Sequence, residues 1–173
     1  VGASTGGFTD CLLQHGAAKV YALDVGKGLL HWKLRTDPRV VVMEESNARF
    51  VEELPEPVDL VTIDASFISL RLLLPVSRGW FGEQGGEVIA LVKPQFEAGR
   101  RESARHKGVI RDPQVHRAVL EQVLSFAVDQ GYRLRRLLRS PVLGPKGNVE
   151  FLAWWGLGGA ASTDLQQAIA ALF

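Results

Sequence analysis

A chain of 173 residues with 46% apolar and 23% charged residues suits one globular domain with a sizeable core. A net charge of +1 excludes a bulk polycation, so any nucleic-acid contact must come from local clusters of Arg and Lys. The single Cys11 excludes an internal disulfide framework and fits a reducing cytoplasm, and no apolar run reaches the length of a membrane span or reads as a signal peptide.

The chain begins without Met on a glycine-rich turn, VGASTGGFTD, and a helix is expected over residues 8–14. KVYALDV and RVVVMEES read as short β-branched strands, with a helix over 28–35 between them. VDLVTIDAS and EVIALVKP are near-continuous apolar runs, the pattern of strands buried on both faces of a parallel sheet. A helix over 67–81, interrupted at Pro75, separates them. The clearest helix follows Asp112: an N-cap, then Pro113 at the first helical position, Val115, Val119, Val123 and Phe126 on one face, and Gly131 at the end. YRLRRLLRSPV and VEFLAWWGL, joined by LGPKGN, read as an antiparallel pair because the connection is so short. A last amphipathic helix follows Thr163, with Leu165, Ile169 and Leu172 on one side. The alternation implies an α/β doubly wound sheet, mostly parallel, that ends in an antiparallel hairpin. Residues 1–157 form the main domain and 158–173 a C-terminal tail or helix, with GLGGAAS as the one linker-like stretch.

In open α/β sheets, ligands sit beyond the carboxyl ends of the strands. The opening GASTGG lies at such a place but lacks the G-x-G-x-x-G spacing. Ser4 stands where a dinucleotide site needs a glycine for close pyrophosphate approach. Asp24 ends the next strand, about twenty residues beyond Gly2, where an acid can accept hydrogen bonds from ribose hydroxyls. Ribose without pyrophosphate points to S-adenosylmethionine. The competing reading is a plain helix-initiating loop with Asp24 as a cap.

Three charged residues form a second signal. Asp64 follows VDLVTI, Lys93 follows EVIALV, and Glu150 starts an antiparallel strand, so all three fall on one sheet edge. Each has a bland explanation alone, as a loop cap, a solvated strand end and a surface acid. Their convergence beside a cofactor-type loop favours chemistry. The histidines at 15, 31, 106 and 116 show no metal-ligand spacing and read as structural or solvated.

VGASTGGFTDCLLQHGAAKVYALDVGKG, IDASFISL, LVKPQFEAGR, KGVIRDPQVH and GPKGNVEFL together resemble the TlyA/haemolysin A family, itself similar to the FtsJ-type ribosomal RNA 2′-O-methyltransferases. The likeness runs from Val1 to about Trp155. It implies a Rossmann-like S-adenosylmethionine-dependent methyltransferase sheet, a Lys–Asp–Lys–Glu tetrad and an N-terminal S4-like RNA-binding domain. Asp64, Lys93 and Glu150 match the last three tetrad members. The first Lys, the acid before the glycine loop and the first strand of the sheet are then expected upstream of Val1, which would leave the cofactor site of this chain incomplete.

The chemistry is consistent with those roles. A ribose hydroxyl must lose its proton as its oxygen attacks a sulfonium methyl, and a neutral Lys93 can take that proton. Burial and a second Lys favour the neutral amine; Asp64 and Glu150 favour the charged form and orient it. Methyl transfer from a sulfonium needs no metal. Gly2, Ala3, Ser4, Gly6, Gly7 and Phe8 are candidates for the methionine end of the cofactor, Asp24 and Val25 for the ribose, and Asp64 for the reacting end. Asn47 is a candidate for the adenine edge, or equally a cap for the helix that ARFVEEL would begin.

Arg100, Arg101, Arg105, Lys107 and Arg111 crowd EAGRRESARHKGVIRD, a stretch with little periodicity just after Lys93. A basic loop there suits phosphate contacts of a ribosomal RNA or subunit; the competing reading is a solvated loop. Arg133, Arg135, Arg136 and Arg139 offer a second strip. Besides the methyltransferase, the sequence leaves a non-catalytic adenosyl- or nucleotide-binding domain and a haemolysin-like membrane-active protein as alternatives, the last opposed by short, conventionally amphipathic helices.

Overall fold

The computed structural model describes residues 1–158 and 163–173. The β-branched runs become strands where expected, though shorter. β1 (Val20–Leu23) pairs parallel with β2 (Val40–Met43). β3 (Leu60–Ile63) pairs parallel with β4 (Glu87–Val92). β4 and β5 (Tyr132–Arg139) both pair antiparallel with β6 (Phe151–Leu157), which lies between them. The result is two sheets, β1-β2 and β3-β4-β6-β5.

The helices are α1 (Gly7–Gln14), α2 (Trp32–Arg35), α3 (Leu70–Arg78), α4 (Pro94–Glu97), α5 (Gly99–Arg105), α6 (Pro113–Asp129) and α7 (Leu165–Ala170). The Asp112 side chain caps α6 through the Gln114 amide at 2.8 Å, with Pro113 in the first turn. α3 runs on through Pro75 rather than breaking there. The expected helix over 28–35 shrinks to α2. Gly28 takes a positive φ of 67°, and the amides of Gly28, Leu29 and Leu30 donate to Glu44 instead of entering a helical ladder. The helix expected from residue 67 starts at Leu70, because Phe67 sits at φ 62° and Ser69 caps α3. The basic stretch after Lys93, expected to be aperiodic, forms α4 and α5.

α3, α6 and α7 bury the larger core against the four-stranded sheet, with Leu74, Leu120, Leu124, Ile63, Val88, Trp155 and Ile169 almost wholly shielded. Burying each such side chain contributes about 1.5–3 kcal/mol. Residues 165–170 therefore pack into the main core, through Ile169. The expectation that the apolar strands are buried on both faces is corrected. Val61, Ile63, Val88, Ala90 and Val92 are buried, whereas the alternating Leu60, Thr62, Ile89 and Leu91 are half-buried. A smaller core, of Leu13, Val20, Ala22, Leu30 and Leu34, holds α1 and α2 to β1.

Residues 1–3 connect the two sheets. Val1 bonds to β3 through Thr62 O and the Asp64 amide, at 2.7 and 3.0 Å, and the amides of Gly2 and Ala3 donate to Leu23 O of β1. Beneath them, the edges of β1 and β3 line a groove of about 530 Å³, closed at its sides by Phe8, Leu12, Leu54 and Trp80.

Candidate active site

Register explains why distant residues meet. Val92 of β4 lies opposite Phe151 of β6, so the next residues outward, Lys93 and Glu150, leave the sheet side by side. Ile63 of β3 lies beside Ala90 of β4, and Asp64 follows at the same rim. Lys93 Nζ reaches Asp64 Oδ1 at 2.5 Å and Ser66 Oγ at 3.5 Å, and the lysine is only 8% exposed. Glu150 is buried and accepts from Gln95 Nε2 at 3.0 Å. A largely buried ammonium thus has a carboxylate partner, as burial of charge requires.

The glycine loop is pressed against this cluster. Gly2 has φ 74°, and a Cβ there would overlap the carbonyl oxygen of Asp64. Gly6, at φ 108°, leaves room for Leu34 and Leu30. Ser4 holds φ 48°, and its amide donates to Asp24 Oδ2 at 2.8 Å; the Gly26 amide donates to Oδ1, also at 2.8 Å. Asp24 therefore clamps the glycine loop to the turn after β1. Two backbone bonds leave its carboxylate further lone pairs for a ligand. Ala3 and Phe8 are half-buried beside the loop, Gly7 opens α1, and Val25 is 68% exposed at the rim. Asn47 uses its side-chain oxygen as the cap of the short 3-10 turn Ala48–Phe50, accepting from the Arg49 amide at 3.1 Å.

Several site residues escape sequence reading. Glu97 is buried, accepts from Ser69 Oγ at 2.6 Å and from the Leu70 amide at 2.7 Å, and so fastens the loop after Asp64 to the helix after Lys93. Burial pushes its carboxyl above the usual carboxylate range. Asn148 ties residues 108–110 to its own turn, accepting from the Ile110 amide and donating to the carbonyls of Gly108 and Pro145. His116 Nε2 meets Ile110 O at 2.9 Å, which makes that histidine part of the same brace. Phe67 is 89% exposed in a left-handed conformation and rests on Phe96, ring centroids 4.9 Å apart. For Glu97, Asn148 and Phe67 the sequence signal is nearness to Asp64, Lys93 and Glu150; side-chain partners such as Ser69 and Ile110, 28 and 38 positions away, do not show in a linear pattern.

Of the basic residues, Arg101, Arg105, Lys107 and Arg111 are exposed along and beyond α5. Arg105 and His106 both contact Glu102, at 3.4 and 3.1 Å. Lys107, at φ 51°, and Gly108 end the helix. The side chain of Arg100 lies outside the described residues.

The model of the family described as FtsJ-like methyltransferase matches residues 1–157. The chain belongs to the FtsJ-like methyltransferase family. It is 53% identical over 167 residues to YqxC, a candidate rRNA methyltransferase of Bacillus subtilis, covering 91% of this chain and 58% of that protein. It is 46% identical over 155 residues to the 16S/23S rRNA (cytidine-2′-O)-methyltransferase TlyA of Mycobacterium tuberculosis, covering 88% and 57% respectively. A solved structure of a candidate hemolysin from Streptococcus thermophilus superimposes with a TM-score of 0.89 at 45% identity, over 99% of this chain and 64% of that one. The chain thus spans less than three-fifths of the length of these two curated relatives. The α/β fold with mixed sheets described above is also that of more distant solved methyltransferases, with TM-scores of 0.63 and 0.60 at 14% and 13% identity. Among the described residues no helix is long and apolar enough to cross a membrane.

Proposed function

We propose that this chain is the methyltransferase part of an S-adenosylmethionine-dependent enzyme that methylates a ribose 2′-hydroxyl of ribosomal RNA. The observation that carries the reading is the Lys93–Asp64 pair, with Glu150 beside it in register, at the rim where the glycine loop meets Asp64.

The residues fit the cofactor. Asp24, beside the glycine loop, retains acceptor capacity for ribose hydroxyls, and exposed Val25 offers an apolar edge to a base. When bound, the cofactor supplies an electrophilic methyl carbon on a sulfonium. The protein's own work is to orient and to manage one proton. With the cofactor bound, the ribose hydroxyl proton would pass to Lys93 Nζ as that oxygen takes the methyl group and the thioether is left behind. That step needs Lys93 as the free amine, so the paired ammonium must first give one proton to solvent. Asp64 then stabilises the ammonium that re-forms. Asp64 and Lys93 each follow directly on adjacent paired strands, which supports a fixed placement of the reacting groups.

On the RNA side, Arg101, Arg105, Lys107 and Arg111 would engage phosphates, a contact that weakens with salt and carries no sequence information. Phe67, exposed next in the chain to the Ser66 that Lys93 reaches and backed by Phe96, would stack on an unpaired base. The open edges of β1 and β3 also favour an additional strand, leading into Val1, that fills the groove between them and completes the sheet. The test incubates the full-length protein with intact ribosomal subunits and methyl-labelled S-adenosylmethionine, then digests the RNA to nucleosides. Label on a ribose 2′-oxygen supports the reading; label on a base, or none, refutes it.

A further inference from the structure

Gln95 lies in α4, two residues beyond Lys93, and is 7% exposed. Its Nε2 donates to Glu150 Oε1 at 3.0 Å. Its own Oε1 is buried with no hydrogen-bond partner among the described residues. On the other side of Glu150, Gly144 packs so closely that a Cβ would overlap the same carboxylate oxygen. A buried acceptor left unpaired is destabilising, and an apolar side chain of the same size would avoid that cost. Stability alone therefore does not explain an amide at this position; the bond to Glu150 does.

We infer that Gln95 is a positioning residue for Glu150, fixing its carboxylate against Gly144 so that it stays beside Lys93 at the reaction rim. The inference rests on the methyltransferase reading for its consequence, not for its geometry. Lys93 and Glu150 leave neighbouring strands in register, and Asp64 already holds the lysine from the β3 side. A Glu150 carboxylate without the Gln95 donor is free to change rotamer or to take up a proton, and either change disturbs the charge beside Lys93 that supports proton transfer. The geometry thus makes α4 a bridge: it begins at one member of the charged cluster and braces another.

The test uses Gln95→Leu, which removes the donor and the orphaned acceptor at nearly constant volume, and Gln95→Glu, which is isosteric but places a second acid against Glu150. Both are measured in the full-length protein. In Gln95→Leu, kcat should fall about tenfold or more while the KM for RNA, cofactor affinity and melting temperature stay close to wild type. Independently of turnover, the ¹³C titration of the Glu150 carboxyl, assigned by its loss in Glu150→Gln, should move to higher pH in Gln95→Leu, because the charged form has lost a donor. It should move further in Gln95→Glu, where two acids share one proton. Should Gln95→Leu fail to fold, Gln95→Glu decides by the same two readouts. A Glu150 titration that superimposes on wild type, or an unchanged kcat in an enzyme whose wild type is active, overturns the inference. If the wild type transfers no methyl to RNA, the proposed function falls, and the titration alone still decides the role of Gln95.

Discussion

The two sheets of this molecule hold its chemistry very differently. The four-stranded sheet carries Asp64, Lys93 and Glu150 on β3, β4 and β6, with α3, α6 and α7 packed behind them and Glu97, Gln95 and Asn148 bracing the loops. The two-stranded sheet carries Asp24 and contacts the glycine loop through a small core of five buried residues. The halves meet through residues 1–3, across a groove bounded by two open strand edges. Under the proposed function, chemistry that needs sub-ångström placement would sit on the well-supported half, and ligand capture, which tolerates adjustment, on the less supported one.

Perturbing each half should therefore have distinct signatures. The largest effect is expected for Lys93→Ala. Removing the proton acceptor should lower methyl transfer on the order of 10³-fold while leaving S-adenosylmethionine affinity nearly intact, as read by single-turnover kinetics and calorimetry. Turnover that survives means another group takes the proton. Asp24→Ala acts on the other half. Losing a charged acceptor should weaken cofactor binding about 10- to 100-fold, and freeing the Ser4 and Gly26 amides should loosen the loop as well. Unchanged calorimetric affinity would remove Asp24 from the site.

Gly2→Ala strikes the contact between the halves. A left-handed φ costs a non-glycine residue about 1–2 kcal/mol, and the added methyl meets the Asp64 carbonyl. The melting temperature should fall by a few degrees, with transfer reduced alongside cofactor affinity. Wild-type behaviour would mean the loop and Asp64 are not in contact in solution. The smallest effect is expected at Glu44, whose carboxyl is held down to about 2 by Arg35 and by the Gly28 and Leu30 amides. A folded value below the ordinary 4.5 stabilises the protein above that pH, and the stabilisation is lost as pH falls toward 2. Glu44→Gln should thus lower stability at neutral pH and flatten its acid dependence, seen in melts between pH 2 and 6. A variant with the same acid dependence as wild type would show that Glu44 does not hold the turn.

What could be read from the sequence divides along the same line. β-branched runs, the Asp112–Pro113 start of α6 and the short LGPKGN connection are local signals, and they produced strands, helix and hairpin where the pattern places them. The register that joins Asp64, Lys93 and Glu150 followed from a topological rule, since each ends or begins a strand at one edge. Side-chain bonds that override local preference were invisible. Glu44 draws residues 28–30 out of a helix from fourteen or more positions away, and nothing near Gly28 announces it. Little periodicity after Lys93 reads as a basic loop, whereas α5 forms there over Gly99–Arg105, with Lys107 and Gly108 in the turn beyond it. Gln95 and Glu97 were hidden for the same reason as Glu44, since their partners are distant in the chain.

The contrast between a braced half proposed for catalysis and an open-edged half proposed for the cofactor is tested most directly by amide hydrogen exchange. Exchange should be slow in β4 and β6, which are paired on both sides, and faster in β1 and β3 along the groove. Extending the chain upstream of Val1 by the strand proposed for the groove should slow exchange at residues 20–23 and 60–63 by at least about tenfold, and should raise S-adenosylmethionine affinity in the same preparation. If β1 and β3 are already as protected as β4 and β6, or if the extension leaves their exchange unchanged, the groove is not a strand site and the two halves are equally supported.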